Sequence, residues 1–82
     1  MSKLKPTPQQ TACRIFWSKV AAAKTLYDLS NNDIATMLGI SLRTVENRKK
    51  SLTHMTFSEL VHWCKALRFK SQDIVDVLEV LL

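Results

Sequence analysis

The sequence predicts an all-α, compact five-helix domain. Three observations carry that prediction. Helix-start chemistry recurs at the breaks in the chain, and apolar residues repeat at helical spacing between them. No stretch alternates apolar and polar residues long enough to make a strand. Eighty-two residues suit one domain with a thin core, and 46% apolar with 23% charged residues is a globular composition. Residues 1–6 are expected to form a flexible arm ahead of a single domain over 7–82.

Each helix has its own justification. Thr7-Pro8-Gln9-Gln10 offers a capping threonine, a proline at the first helical position and a glutamine able to close a capping box. The helix behind it places Phe16, Val20, Ala23 and Tyr27 on one stripe and ends near Tyr27, before the turn-prone Asp28 to Asn32. Ser30 caps a short helix over Asn31 to Leu38, with Ile34, Ala35 and Leu38 inward and Asp33 set against the positive end of the helix dipole. Gly39 stops it, being free to adopt positive φ. Ser41 caps the next helix, Leu42 to Lys50, with Leu42 and Val45 inward. Thr56-Phe57-Ser58-Glu59 reads as another capping box, opening a helix through Leu67 with Leu60, Val61, Cys64 and Leu67 inward. Ser71 starts the last helix, expected over 72–82.

Charge and composition narrow the chemistry. Twelve Lys/Arg against seven Asp/Glu give a net charge of +5 and a pI near 9.6, which favours a polyanionic partner. Arg43, Arg48, Lys49 and Lys50 outweigh Glu46, whereas Asp73, Asp76 and Glu79 stand without a base between Ser71 and Leu82. Cys13 and Cys64 belong to no CxxC or Cys/His cluster, so no metal site is expected; both sit on apolar stripes as buried thiols in a reduced compartment. A single glycine leaves no phosphate-cradling loop, and no cofactor is expected. No apolar run is long enough to span a membrane, and Pro6 and Pro8 follow the first residues where a signal peptide would be apolar. His62 and Trp63 fall in no catalytic arrangement, and Asp73, Asp76 and Glu79 read as a solvated face, so no enzyme is expected.

Two short helices joined by a turn containing glycine form a helix-turn-helix signature. Ala35 permits close crossing, Gly39 makes the turn, Ile40 plugs it and Val45 anchors the second helix. At these residues the chain resembles the Cro/phage-repressor (Xre-like) family of lambda-repressor-like domains. Leu29-Ser30-Asn31-Asn32-Asp33-Ile34-Ala35 is similar to the family's entry motif, and Met37-Leu38-Gly39-Ile40-Ser41 to its turn. Phe57 to Leu67 is similar to its fourth helix, including Lys65-Ala66-Leu67. The resemblance spans roughly Lys24 to Ile74. Lys24 and Lys49 stand where the family carries an attracting Arg–Glu pair and are expected to repel; Ser51 replaces its glycine, Met55 its proline and Arg48 an apolar residue.

The resemblance implies a transcription regulator of phage or mobile-element type in the bacterial cytosol or nucleoid, binding double-stranded DNA. The second helix would enter the major groove. Its DNA-facing set is Ser41, Leu42, Arg43, Thr44, Glu46, Asn47 and Lys50, with Asn31 and Asn32 at the preceding helix start. Arg43 suits guanine, Asn47 adenine and Glu46 cytosine N4, while Ser41 and Asn31 suit phosphates. The competing reading makes these residues an ordinary solvated face. Arg48 and Lys49 either flank phosphates or cap the helix C-terminus. Val77, Leu78, Leu81 and Leu82 either complete the core or seal a homodimer. A second function class stays open: a protein-interaction module, antirepressor or antitoxin-like, that binds another regulatory protein.

Overall fold

Helices α1 (Pro8–Tyr27), α2 (Asn31–Leu38), α3 (Leu42–Lys50), α4 (Phe57–Ala66) and α5 (Ser71–Glu79) build the computed structural model, which describes residues 7–50, 52 and 55–82. The chain is all-α, with no strand among the described residues. The expected arm over 1–6, Ser51 and the side chain of Lys50 lie outside the described residues. No helix among them is long and apolar enough to cross a membrane.

Capping sets the helix starts. Thr7 Oγ1 accepts the Gln10 N–H while Gln10 Oε1 accepts the Thr7 N–H, closing the expected box. Ser30 and Asp33 close a second box, and those hydrogen bonds, backbone first, hold the Asp33 carboxyl below its ordinary pKa. Gly39 takes φ +68 as the turn requires, and Ile40 N–H bonds back to the Ala35 carbonyl at 3.0 Å. Asp28 and Arg68 adopt the same left-handed region at φ 55 and 58, closing α1 and the α4–α5 turn without glycine.

Two expected starts are corrected. Thr56 caps α4 by accepting the Glu59 N–H, yet the Glu59 carboxylate does not close the box, because an arginine on α3 draws it away. Ser71 is the first residue of α5 and Lys70 its cap, the Lys70 N–H being taken by Asp73 Oδ2 at 2.8 Å. The expected extent of α5, 72–82, is corrected too. It ends at Glu79, and Leu81 and Leu82 follow in a turn whose N–H groups reach the carbonyls three residues back.

The core is one cluster. Ala12, Phe16, Val20 and Ala23 of α1 meet Ile34 and Ala35 of α2, Val45 of α3, Trp63 of α4 with Leu67 at its C-terminal end, and Val77 of α5. Trp63 is its largest fully buried side chain and sits amid rings, with centroids 5.8 Å from Phe16 and 5.4 Å from Trp17. Its Nε1 has no hydrogen-bond partner among the described residues, so the packing of the ring carries its stabilising effect. The expected inner face of α4 is thereby rotated: Trp63 and Leu67 are its buried centre, and Leu60, Val61 and Cys64 are half-buried on one flank. Tyr27, expected on the α1 stripe, is 38% exposed and carries the Arg68 guanidinium 5.0 Å above its ring.

Candidate nucleic-acid interface

Helix α3 is short and basic, and its two sides are treated differently by the fold. Val45 is fully buried and fixes the inner direction. At 100° per residue, Arg43, Glu46 and Asn47 fall within an arc of about 100° opposite Val45, and all three are exposed. None of the three has a hydrogen bond or ion pair among the described residues. Ser41 opens the helix by accepting the Thr44 N–H at 3.1 Å, and its hydroxyl also meets that of Thr44 at 2.9 Å. Thr44 is therefore half-buried and turned to its cap, while Leu42 is exposed beside the arc.

The C-terminal end of α3 is held from two sides. Trp17 Nε1 donates to the Arg48 carbonyl at 3.1 Å, and the Cys13 thiol donates to the Lys49 carbonyl at 3.4 Å. Both acceptors belong to the last turn, where helix carbonyls have no partner within the helix. The Arg48 side chain lies near the Val45 side of the helix and forks onto Glu59 of α4, through Nε to Oε2 and through Nη2 to Oε1 at 3.0 Å. Glu59 raises the Arg48 pKa further, keeping the guanidinium charged. The Arg48 guanidinium, expected either to flank a phosphate or to cap the C-terminus of α3, is engaged with Glu59 of α4. The capping is done by α1. Nothing in local sequence signals this, because Trp17 and Cys13 lie more than thirty residues from the carbonyls they meet.

At the start of α2, Asn31 and Asn32 divide. Asn32 is exposed, whereas Asn31 is half-buried and its Oδ1 accepts from Lys24 Nζ at 2.7 Å. That bond leaves the Asn31 amide donors for a ligand and gives the Lys24 ammonium a partner. The expected repulsion between Lys24 and Lys49 is corrected to this extent: Lys24 is engaged with α2, and Lys49 is exposed.

The remaining expected groups are placed as follows. Val77 is 5% exposed and belongs to the core, so its expected place in a dimer seam is corrected. Leu78 and Leu81 are 44% and 45% exposed, and Leu82 is fully exposed. Asp73 and Asp76 are not a solvated face, because Lys19 of α1 donates to both, at 3.1 and 2.8 Å. Gln72 Nε2 adds a bond to Asp76 at 2.9 Å. Cys13 and Cys64 are half-buried rather than buried, and burial raises the pKa of each thiol. Among the described residues no group of His, Cys, Asp and Glu could hold a metal ion.

Compared with protein-family models, curated proteins and solved structures, the chain matches none of them.

Proposed function

We propose that α2, the Gly39 turn and α3 form a helix-turn-helix, and that the chain is a sequence-specific DNA-binding regulator of transcription in a bacterial cytosol or nucleoid, of phage or mobile-element type. The observation that carries this reading is the pairing of an open face with a fixed end on α3. Arg43, Glu46 and Asn47 are exposed and without partners among the described residues, while α1 and α4 hold the far end of the same helix. Base edges are read by side chains presented in a set orientation in the major groove. Arg43 then forks to guanine O6 and N7, Asn47 pairs with adenine, and Glu46 accepts from cytosine. Ser41, Asn31, Asn32 and Lys49 serve the phosphates. Lys50, whose side chain is not described, keeps its expected place in this set by register alone. Two copies reading two half-sites about 34 Å apart complete the proposal.

The test is selection of bound duplexes from random-sequence DNA, followed by affinity titration of the winner from about 50 to 200 mM salt. A preferred sequence should emerge, with a log–log slope of about −5 for six or so phosphate contacts across a dimer. Recovery of random sequence with a flat salt response would overturn the reading. The wet apolar residues Phe57, Leu78, Leu81 and Leu82 favour a second reading, a protein-interaction module of antirepressor or antitoxin type. That reading predicts no DNA preference at any salt.

A further inference from the structure

Helix α4 has two flanks on either side of the buried Trp63. One carries Glu59 and Ala66 toward α3 and α2. The other forms, with α5, an open apolar groove of about 260 Å³ lined by Phe57, Leu60, Val61, Cys64, Phe69 and Ile74. Phe57 at its edge is 80% exposed. One turn beyond Ile74 stands Leu78, and Val75, Leu81 and Leu82, on α5 or just after its end, are also exposed.

We propose that this groove receives the α5 end of a second copy of the chain, Leu78 to Leu82, in a reciprocal exchange. The inference deepens the two-half-site part of the proposed function by naming the surface through which two copies join. Three features argue for a second copy as occupant. The molecule carries both complements, an apolar groove and an apolar helix end, and a two-fold interface needs each surface to meet the other twice. The exposed apolar side chains amount to on the order of 500 Å². That is close to the apolar share of one side of a standard homodimer interface, about two-thirds of ~800 Å². Charge also fits. Lys65 lies on the groove lining and Glu79 lies beside Leu78, and neither has an ion-pair partner among the described residues. Seating one chain's helix end in the other's groove brings Lys65 of each copy to Glu79 of the other.

The experiment is sedimentation equilibrium of the full chain without DNA, so that failure of the dimer and failure of DNA binding are separate results. Wild type should show a monomer–dimer equilibrium below about 200 μM. Leu78→Glu should weaken it at least ~10-fold, with helical signal retained because Leu78 is half-exposed. Lys65→Glu and Glu79→Lys should each weaken it ~3–10-fold, and the two together should return it to within about threefold of wild type. A wild-type monomer throughout overturns the proposal. So does a dimer indifferent to Leu78→Glu, or a charge-exchanged double variant as weak as the sum of its parts.

Discussion

Helices α3 and α5 are each nine residues long and each carries a run of like charge, yet the fold treats the two runs oppositely. Two of the three acids of α5 are answered from within, and Glu79 is exposed. Asp73 and Asp76 flank the buried Val77 on the side toward α1, where one ammonium, Lys19, reaches both. On α3, among the described side chains, the fold answers Arg48, whose guanidinium reaches Glu59 of α4, and leaves Arg43 and Lys49 exposed. A charge run in sequence is therefore not yet a surface field. It becomes one where geometry leaves it without counter-charges, and here that occurs on α3. The net +5 of the chain is presented unevenly in consequence.

The comparison breaks most readily at Arg43. If the open arc of α3 reads bases, Arg43→Ala should cost about 1–3 kcal/mol of discrimination between selected and random DNA, with the melting temperature unchanged. Equal loss on both DNAs, measured by competition titration, would move Arg43 from base reading to phosphate contact.

Next in size comes the tether of α3 to α4. Glu59→Gln keeps the shape but removes the charge facing a half-buried Arg48, and should cost about 1–2 kcal/mol of stability. For a domain of this size that is a fall in Tm of about 5–15 °C. An unchanged melt would reduce the pair to the level of an exposed ion pair, worth little.

Trp17→Phe sharpens the contrast between the two ends of α3. The ring packing against Trp63 is largely kept, but the Arg48 carbonyl loses its donor, at about 1 kcal/mol. Amide hydrogen exchange should accelerate in the last turn of α3 and leave its first turn unaffected. Uniform acceleration along the helix would mean that Trp17 acts through general stability and not as a cap.

The smallest effect belongs to α5 and is seen by titration. The Lys70 N–H, then Lys19, lowers the Asp73 pKa; Lys19, then Gln72, lowers that of Asp76. A depressed folded-state pKa contributes stability that is fully present above the ordinary carboxylate value near 4 and is lost as pH falls through the folded value. Lys19 is shifted the other way, up, chiefly by Asp76 and Asp73, so its contribution is present below the ordinary lysine value and fades at alkaline pH. Asp73→Asn with Asp76→Asn should flatten the acid limb of Tm between about pH 2 and 5. The same limb persisting in the double variant would assign it to other carboxylates, Asp33 first.

The sequence by itself determined the number of helices, their order and most of their bounds. Those features rest on interactions spanning three or four residues: the boxes at Thr7 and Ser30, the cap at Ser41, and the left-handed stop at Gly39. It also determined that Val45 faces inward and that Arg43, Glu46 and Asn47 face out, but Leu42, expected inward, is exposed and Thr44, expected on the open face, is half-buried. Partners brought together by packing were decided only by the tertiary structure. Trp17 and Cys13 reach α3 across more than thirty residues, Lys19 reaches α5 across more than fifty, and Glu59 leaves its own cap for Arg48. The sequence reading missed each because helical periodicity specifies direction around one axis and says nothing of which helix lies there. For the same reason nothing in the periodicity marks Trp63 as the centre of the core or separates Val77 from Leu78. A single apolar face on α5 divides only when α1 covers one part of it and leaves the rest in water.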